Sequence, residues 1–175
     1  MRVHIDKSGK ISIFDFSPAQ AYKAAVHMEK EGIQFYQDLT RQIKDPDARR
    51  EVDFLIEQEQ EHLKTFENLL EYVKKGAGDE FEEDDIAQYV SSNVFDTTLE
   101  KDAMAKMEHR HTALEEAMNM ERRSIVFYQA CHENSTDPQA KGAFEKIGRE
   151  EKKHLEKFAE LLRVKCINSQ KGCLL

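Results

Sequence analysis

Tryptophan is absent from this 175-residue chain, and turn-formers are scarce, with seven glycines and three prolines. That scarcity argues against many short strands joined by tight turns and predicts long helices. Cysteine is limited to Cys131, Cys166 and Cys173, with no Cys-x-x-Cys pair, which excludes a zinc ribbon, an iron–sulfur cluster and a rubredoxin-type site. No run of about 18 apolar residues occurs, so no membrane-spanning helix is predicted. Positive charge is in deficit, 26 Lys and Arg against 34 Asp and Glu for a net charge of -8, which argues against a nucleic-acid or anionic-membrane partner. Residues Met1 to Asp6 lack the apolar core of a secretory signal, and an odd cysteine count without one is the pattern of reduced thiols. A cytoplasmic protein is expected. The length suits one domain with a sizeable core.

What is present is a unit written twice. A shift of 92 positions carries Glu29 onto Glu121, Glu59 onto Glu151 and His62 onto His154. Each Glu-x-x-His, Glu59 to His62 and Glu151 to His154, follows a lone Glu by 30 residues. The apolar frame repeats with them: Met28, Ile33, Phe35 and Tyr36 fall on Met120, Ile125, Phe127 and Tyr128, and Leu63 and Phe66 fall on Leu155 and Phe158. Asp45-Pro46 falls on Asp137-Pro138. One Glu-x-x-His is cheap in a Glu-rich chain; two in register with two lone Glu residues are not.

The punctuation divides the chain into four long helices. Ser17-Pro18, Asp45-Pro46 and Asp137-Pro138 each read as a cap followed by a first helical position. The spacing predicts helices over 18–43, 46–75 and 138–165, and a third helix from near Thr112, or somewhat earlier, ahead of the last. Residues 1–17 alternate and form an N-terminal arm or small hairpin, with Ser8-Gly9 as its turn. Gly76-Ala77-Gly78 breaks the second helix, and the stretch to residue 110 is a long crossover with short helices over 84–92 and 98–108, the second opened by Thr97. Residues 166–175 read as a loose tail. The fold class is thus all-α: a four-helix bundle over 18–165, built from two repeated helical hairpins joined by a long crossover connection.

Steps of three and four trace one stripe down each helix. On the second helix it runs Val52, Leu55, Glu59, His62, Phe66, Leu69, and on the fourth Phe144, Ile147, Glu151, His154, Phe158, Leu161. On the first and third it passes through Glu29 and Tyr36, and through Glu121, Tyr128 and Cys131. A carboxylate interrupts an otherwise largely apolar stripe in every helix. Burying one unpaired carboxylate costs several kcal/mol, and four would outweigh a typical stability of roughly 5–15 kcal/mol. The stripes are tolerable only if the carboxylates are protonated, paired or metal-bound. Two divalent cations would balance four carboxylates, with two neutral imidazoles completing the set, as in carboxylate-bridged di-metal bundles. Oxygen with imidazole nitrogen suits iron, with manganese or zinc as substitutes.

At Met28-Glu29-Lys30-Glu31-Gly32-Ile33-Gln34-Phe35-Tyr36 with Glu59 to His62, and again at Met120-Glu121 through Tyr128 with Glu151 to His154, the chain resembles the rubrerythrin branch of the ferritin-like superfamily. The resemblance spans about residues 18–165. It implies a ferritin-like four-helix bundle holding two iron ions, and reduction of peroxide or dioxygen by the reduced metals, a reaction of oxidative-stress defence. It further implies that Glu59 and Glu151 bridge the metals, that Glu29 and Glu121 are terminal ligands, and that His62 and His154 bind one iron each. Full-length rubrerythrins carry a rubredoxin domain with paired Cys-x-x-Cys; this chain has none, which calls for an external electron-donor protein. Many also carry an extra Glu one turn after the third-helix ligand, where this chain has Ser124.

Beyond these six, Tyr36 and Tyr128 lie two turns past Glu29 and Glu121, placed either to donate hydrogen bonds to ligand carboxylates across the bundle or simply to pack. His27, His109, His111 and His132 fall off the stripe, and Glu31, Glu57, Glu61 and Glu150 are expected to face solvent. Cys131 reads as a buried core thiol. Two functions compete: a peroxide- or dioxygen-reducing oxidoreductase, and an iron-binding ferroxidase or iron-homeostasis protein without peroxide turnover. An oxygenase acting on an organic substrate ranks third, because the chain is short. The near-symmetry of the repeat makes a homodimer the expected assembly, with exchange of halves between chains as one route to it.

Overall fold

A computed structural model describes residues 2–5, 11–14, 16–77 and 110–168. The expected Ser8-Gly9 turn, the crossover helices over 84–92 and 98–108, and Cys173 lie outside these residues. The order of elements is β1 (Arg2–Ile5), β2 (Ile11–Phe14), α1 (Pro18–Gln42), α2 (Pro46–Ala77), α3 (Arg110–Asn134) and α4 (Pro138–Asn168). The four helices form an all-α, ferritin-like bundle.

Each proline works where the sequence puts it. Pro18 follows the N-cap Ser17, whose side chain accepts from the Gln20 backbone while Gln20 reaches back to the Ser17 N–H. Oδ1 of Asp45 accepts from the backbone of Asp47 and Ala48 ahead of α2. Asp137 does the same for Gln139 and Ala140 ahead of α4. The links at 43–45 and 135–137 are only three residues long, so α1 pairs with α2 and α3 with α4 as two hairpins. Looser contacts between α1 and α3 and between α2 and α4 join the hairpins.

Two expectations are refined. The N-terminal segment is a two-stranded antiparallel hairpin, pairing Arg2 with Phe14 and Ile5 with Ile11, and β2 lies against α3. Helix α4 continues to Asn168, past the expected end near 165. No glycine or proline interrupts Arg163 to Asn168, so nothing in that stretch stops the helix.

The stripes face inward. Tyr22, Val52, Phe66, Leu114, Phe144, Ile147 and Phe158 are buried with Cys131, which is a core thiol. Burial of each large apolar side chain contributes about 1.5–3 kcal/mol. At mid-height this packing encloses the polar residues of the stripes.

Candidate metal centre

Glu29 comes from α1, Glu59 and His62 from α2, Glu121 from α3, Glu151 and His154 from α4. All six are buried, none more than 4% exposed. Glu and His three apart lie on one helix face, so each Glu-x-x-His offers a carboxylate and an imidazole to the same space. The six form two overlapping groups: Glu29, Glu59, His62 and Glu151, and Glu59, Glu121, Glu151 and His154. Within each group the ligand-type atoms lie within 4.8 Å of one another. Glu59 and Glu151 belong to both.

The distances obey the sequence repeat. Nδ1 of His62 is 3.0 Å from Glu151, 3.3 Å from Glu59 and 3.8 Å from Glu29. Nδ1 of His154 is 3.0 Å from Glu59, 3.4 Å from Glu151 and 3.7 Å from Glu121. The two rings stack with centroids 5.6 Å apart. Around them the aromatic residues exchange partners between hairpins: Tyr36 packs on Phe158 at 5.2 Å and Tyr128 on Phe66 at 5.4 Å. Phe66 and Phe158 sit one turn past His62 and His154 on the same stripes, and both are fully buried. The Tyr36 hydroxyl donates to Oε1 of Glu121 at 2.5 Å, and the Tyr128 hydroxyl donates to Oε1 of Glu29.

The donor set fits a metal for a reason beyond its composition. Nδ1 of His62 and Oε1 of Glu151 face one another at 3.0 Å, yet their alignment is wrong for a hydrogen bond, and neither has a hydrogen-bond partner. Buried polar atoms left unpaired cost about 1–3 kcal/mol each. An imidazole nitrogen and a carboxylate oxygen turned toward one space without bonding each other are arranged as ligands are.

The protonation pattern points the same way. Burial, with the charges of Glu59 and Glu151, holds Glu29 well above the usual carboxylate range. Burial and the Glu151 charge do the same to Glu121. Burial also acts upward on Glu59 and Glu151, but His154 and His62 outweigh it, and both carboxyls are held below the usual range. Burial opposes charge on the imidazoles, and again the carboxylates win: His62 is pushed up to about 12 and His154 to about 9. Metal-free, the cluster therefore favours protons on Glu29, Glu121, His62 and His154. Those four protons carry the charge of two divalent cations.

One contact departs from the sequence reading. Glu150, expected in solvent, has its Oε2 2.8 Å from Nε2 of His62. Its side chain is 26% exposed. The available signal was a break in the repeat, because the position equivalent to Glu150 is Gln58. Glu57 and Glu61 are exposed as expected, and Glu31 is half-buried. His132 binds the Lys141 carbonyl through Nδ1. His27 is half-buried, with its Nε2 enclosed and unpartnered. The side chains of His109 and His111 lie outside the description. No described helix is long and apolar enough to cross a membrane.

Comparison with known proteins bears on this arrangement. Residues 6–70 and 71–162 match the family model for rubrerythrin. An uncharacterized protein of Archaeoglobus fulgidus is 36% identical over 58 residues, covering 33% of this chain and 90% of that protein. No solved structure matches.

Proposed function

The chain belongs to the rubrerythrin family, and on that footing we propose that it is a non-haem di-iron oxidoreductase that reduces peroxide or dioxygen with electrons from a separate donor protein. The observation that carries this reading is the pair of overlapping ligand groups sharing Glu59 and Glu151. Bound there, two ferrous ions would supply the two electrons that, with two protons, take one hydrogen peroxide to two waters.

The chain's own residues do the rest. Glu59 and Glu151, common to both groups, would each help to hold both ions; Glu29 and Glu121 would each help to hold one. His62 and His154 bind through Nδ1, the nitrogen that faces the carboxylates. Tyr36 and Tyr128 hold the terminal carboxylates in place through their hydroxyls. Phe66 and Phe158 keep bulk water from the imidazoles, which strengthens every charge interaction inside. Manganese or zinc would fit the same donors without supplying the same electrons. A homodimer in the cytoplasm remains our expectation for the working form.

One observation favours a second reading. Ser124, half-buried one turn beyond Glu121, brings no carboxylate to the site. A protein that oxidises or carries iron without turning over peroxide needs none there. Adding peroxide to the anaerobic ferrous protein, with a reductant in excess, separates the two. Rapid and repeated oxidation, followed by absorbance, supports the reductase. A single slow oxidation with no turnover supports iron handling.

A further inference from the structure

The two halves of the cluster are near copies, and they differ in the hydrogen bonds of their imidazoles. Glu150 on α4 accepts at 2.8 Å from Nε2 of His62. By the repeat, the matching partner for His154 would be residue 58, which is a glutamine. Gln58 is half-buried, and Nε2 of His154 is enclosed and has no hydrogen-bond partner among the described residues.

The consequence falls on the other ring nitrogen. A neutral imidazole carries one N–H, and a carboxylate at one nitrogen holds the proton there. With Nε2–H held by Glu150, His62 would offer the lone pair of Nδ1 once its second proton is displaced. That atom faces Glu29, Glu59 and Glu151 and makes no hydrogen bond. His154 is arranged the other way: its Nδ1, the atom facing the cluster, is hydrogen-bonded to Oε1 of Glu59 at 3.0 Å. To offer a lone pair, His154 must give up that bond and carry its proton on Nε2, where nothing receives it. His62 is preorganised as a ligand and His154 is not.

We propose that Glu150 is a positioning residue that makes the two metal positions unequal, so that the position built from Glu29, Glu59, His62 and Glu151 fills first and binds more tightly. This rests on the two-metal reading of the cluster. Outer carboxylates behind ligating histidines typically change metal affinity by about 10–100-fold when removed, enough to separate two otherwise matched sites into two resolved steps.

The test is an anaerobic calorimetric titration of the full chain with ferrous ion, for the natural sequence, E150A, E150Q and the exchange variant E150Q/Q58E. The natural protein takes up two ions in two resolved steps. E150A weakens the first step by about 10–100-fold and brings the steps together. E150Q shifts the first step the same way by less, because an acceptor oxygen survives without the charge; it also supplies the answer should E150A lose helix content. E150Q/Q58E restores two resolved steps by moving the carboxylate behind His154. Two ions bound in one unresolved step by the natural protein, or unchanged steps in both Glu150 variants, overturn the proposal while leaving the two-metal reading intact. No ferrous binding by the natural protein overturns both.

Discussion

The hydroxyl of Tyr36 on α1 reaches past its own helix and donates to Glu121 on α3, 2.5 Å away. The repeat does the converse, with Tyr128 on α3 donating to Glu29 on α1. Each hairpin thus supplies the phenol that holds the other's carboxylate. The exchange ties the two halves together at the centre of the bundle, where contacts between hairpins are otherwise fewer than contacts within them.

Removing either phenol oxygen strands a buried carboxyl oxygen. Y36F and Y128F should each destabilise the metal-free protein by about 1–3 kcal/mol, by similar amounts because the sites are related by the repeat. Chemical denaturation measures both. An effect in one variant and none in the other would contradict the reciprocal arrangement.

The overlap of the two groups predicts unequal consequences for the carboxylates. E59A and E151A remove a residue common to both groups and should retain no iron after free metal is washed away. E29A and E121A each remove a residue from one group only and should retain one iron per chain. Metal analysis of the four variants reads this directly; equal losses throughout would rule out shared bridges.

Stability of the metal-free protein should fall as pH rises. His154 is raised from 6.5 to about 9 in the folded chain, so the folded state holds a proton that the unfolded state releases. Its contribution is fully present below 6.5 and is lost as pH climbs through about 9. Glu29 and Glu121, raised by burial, act with the same sign. Two divalent ions replace those protons, so the loaded protein should keep its stability over pH 6.5–9. Melting temperatures of both forms across that window check it; a metal-free protein that gains stability there would refute the assignment.

Phe66 is fully buried, one turn beyond His62, and its ring lies 5.4 Å from those of both Tyr128 and Phe144. F66A should cost about 3–5 kcal/mol as a core cavity. It should also weaken metal retention by loosening Tyr128, which holds Glu29. A stability loss with unchanged iron affinity would place Phe66 in the core alone.

Much of this arrangement is legible in the sequence, for specific reasons. Pro18, Pro46 and Pro138 follow residues that cap helices, so three helix starts are written locally. The six candidate ligands stand out because a carboxylate on an apolar stripe is costly, and the repeat shows the cost incurred four times. What is not legible depends on angle. Glu150 sits one residue before Glu151, roughly 100° around the helix from it, and periodicity sends it to solvent. Its carboxylate nonetheless reaches Nε2 of His62 on α2, a contact between helices that one helix's periodicity does not carry. Likewise the spacing places Tyr36 two turns from Glu29, while its hydrogen bond goes to Glu121 on the other hairpin. The onward run of α4 to Asn168 is not legible either, because apolar periodicity ends before the helix does.

The central claim is that one chain encloses a site for two metal ions within its own four helices. The most direct test is the iron count per chain after anaerobic reconstitution with ferrous iron and removal of free metal. The account predicts two irons in the natural protein and none in the E59A/E151A double variant. No bound iron in the natural protein, or two irons persisting in the double variant, would contradict it.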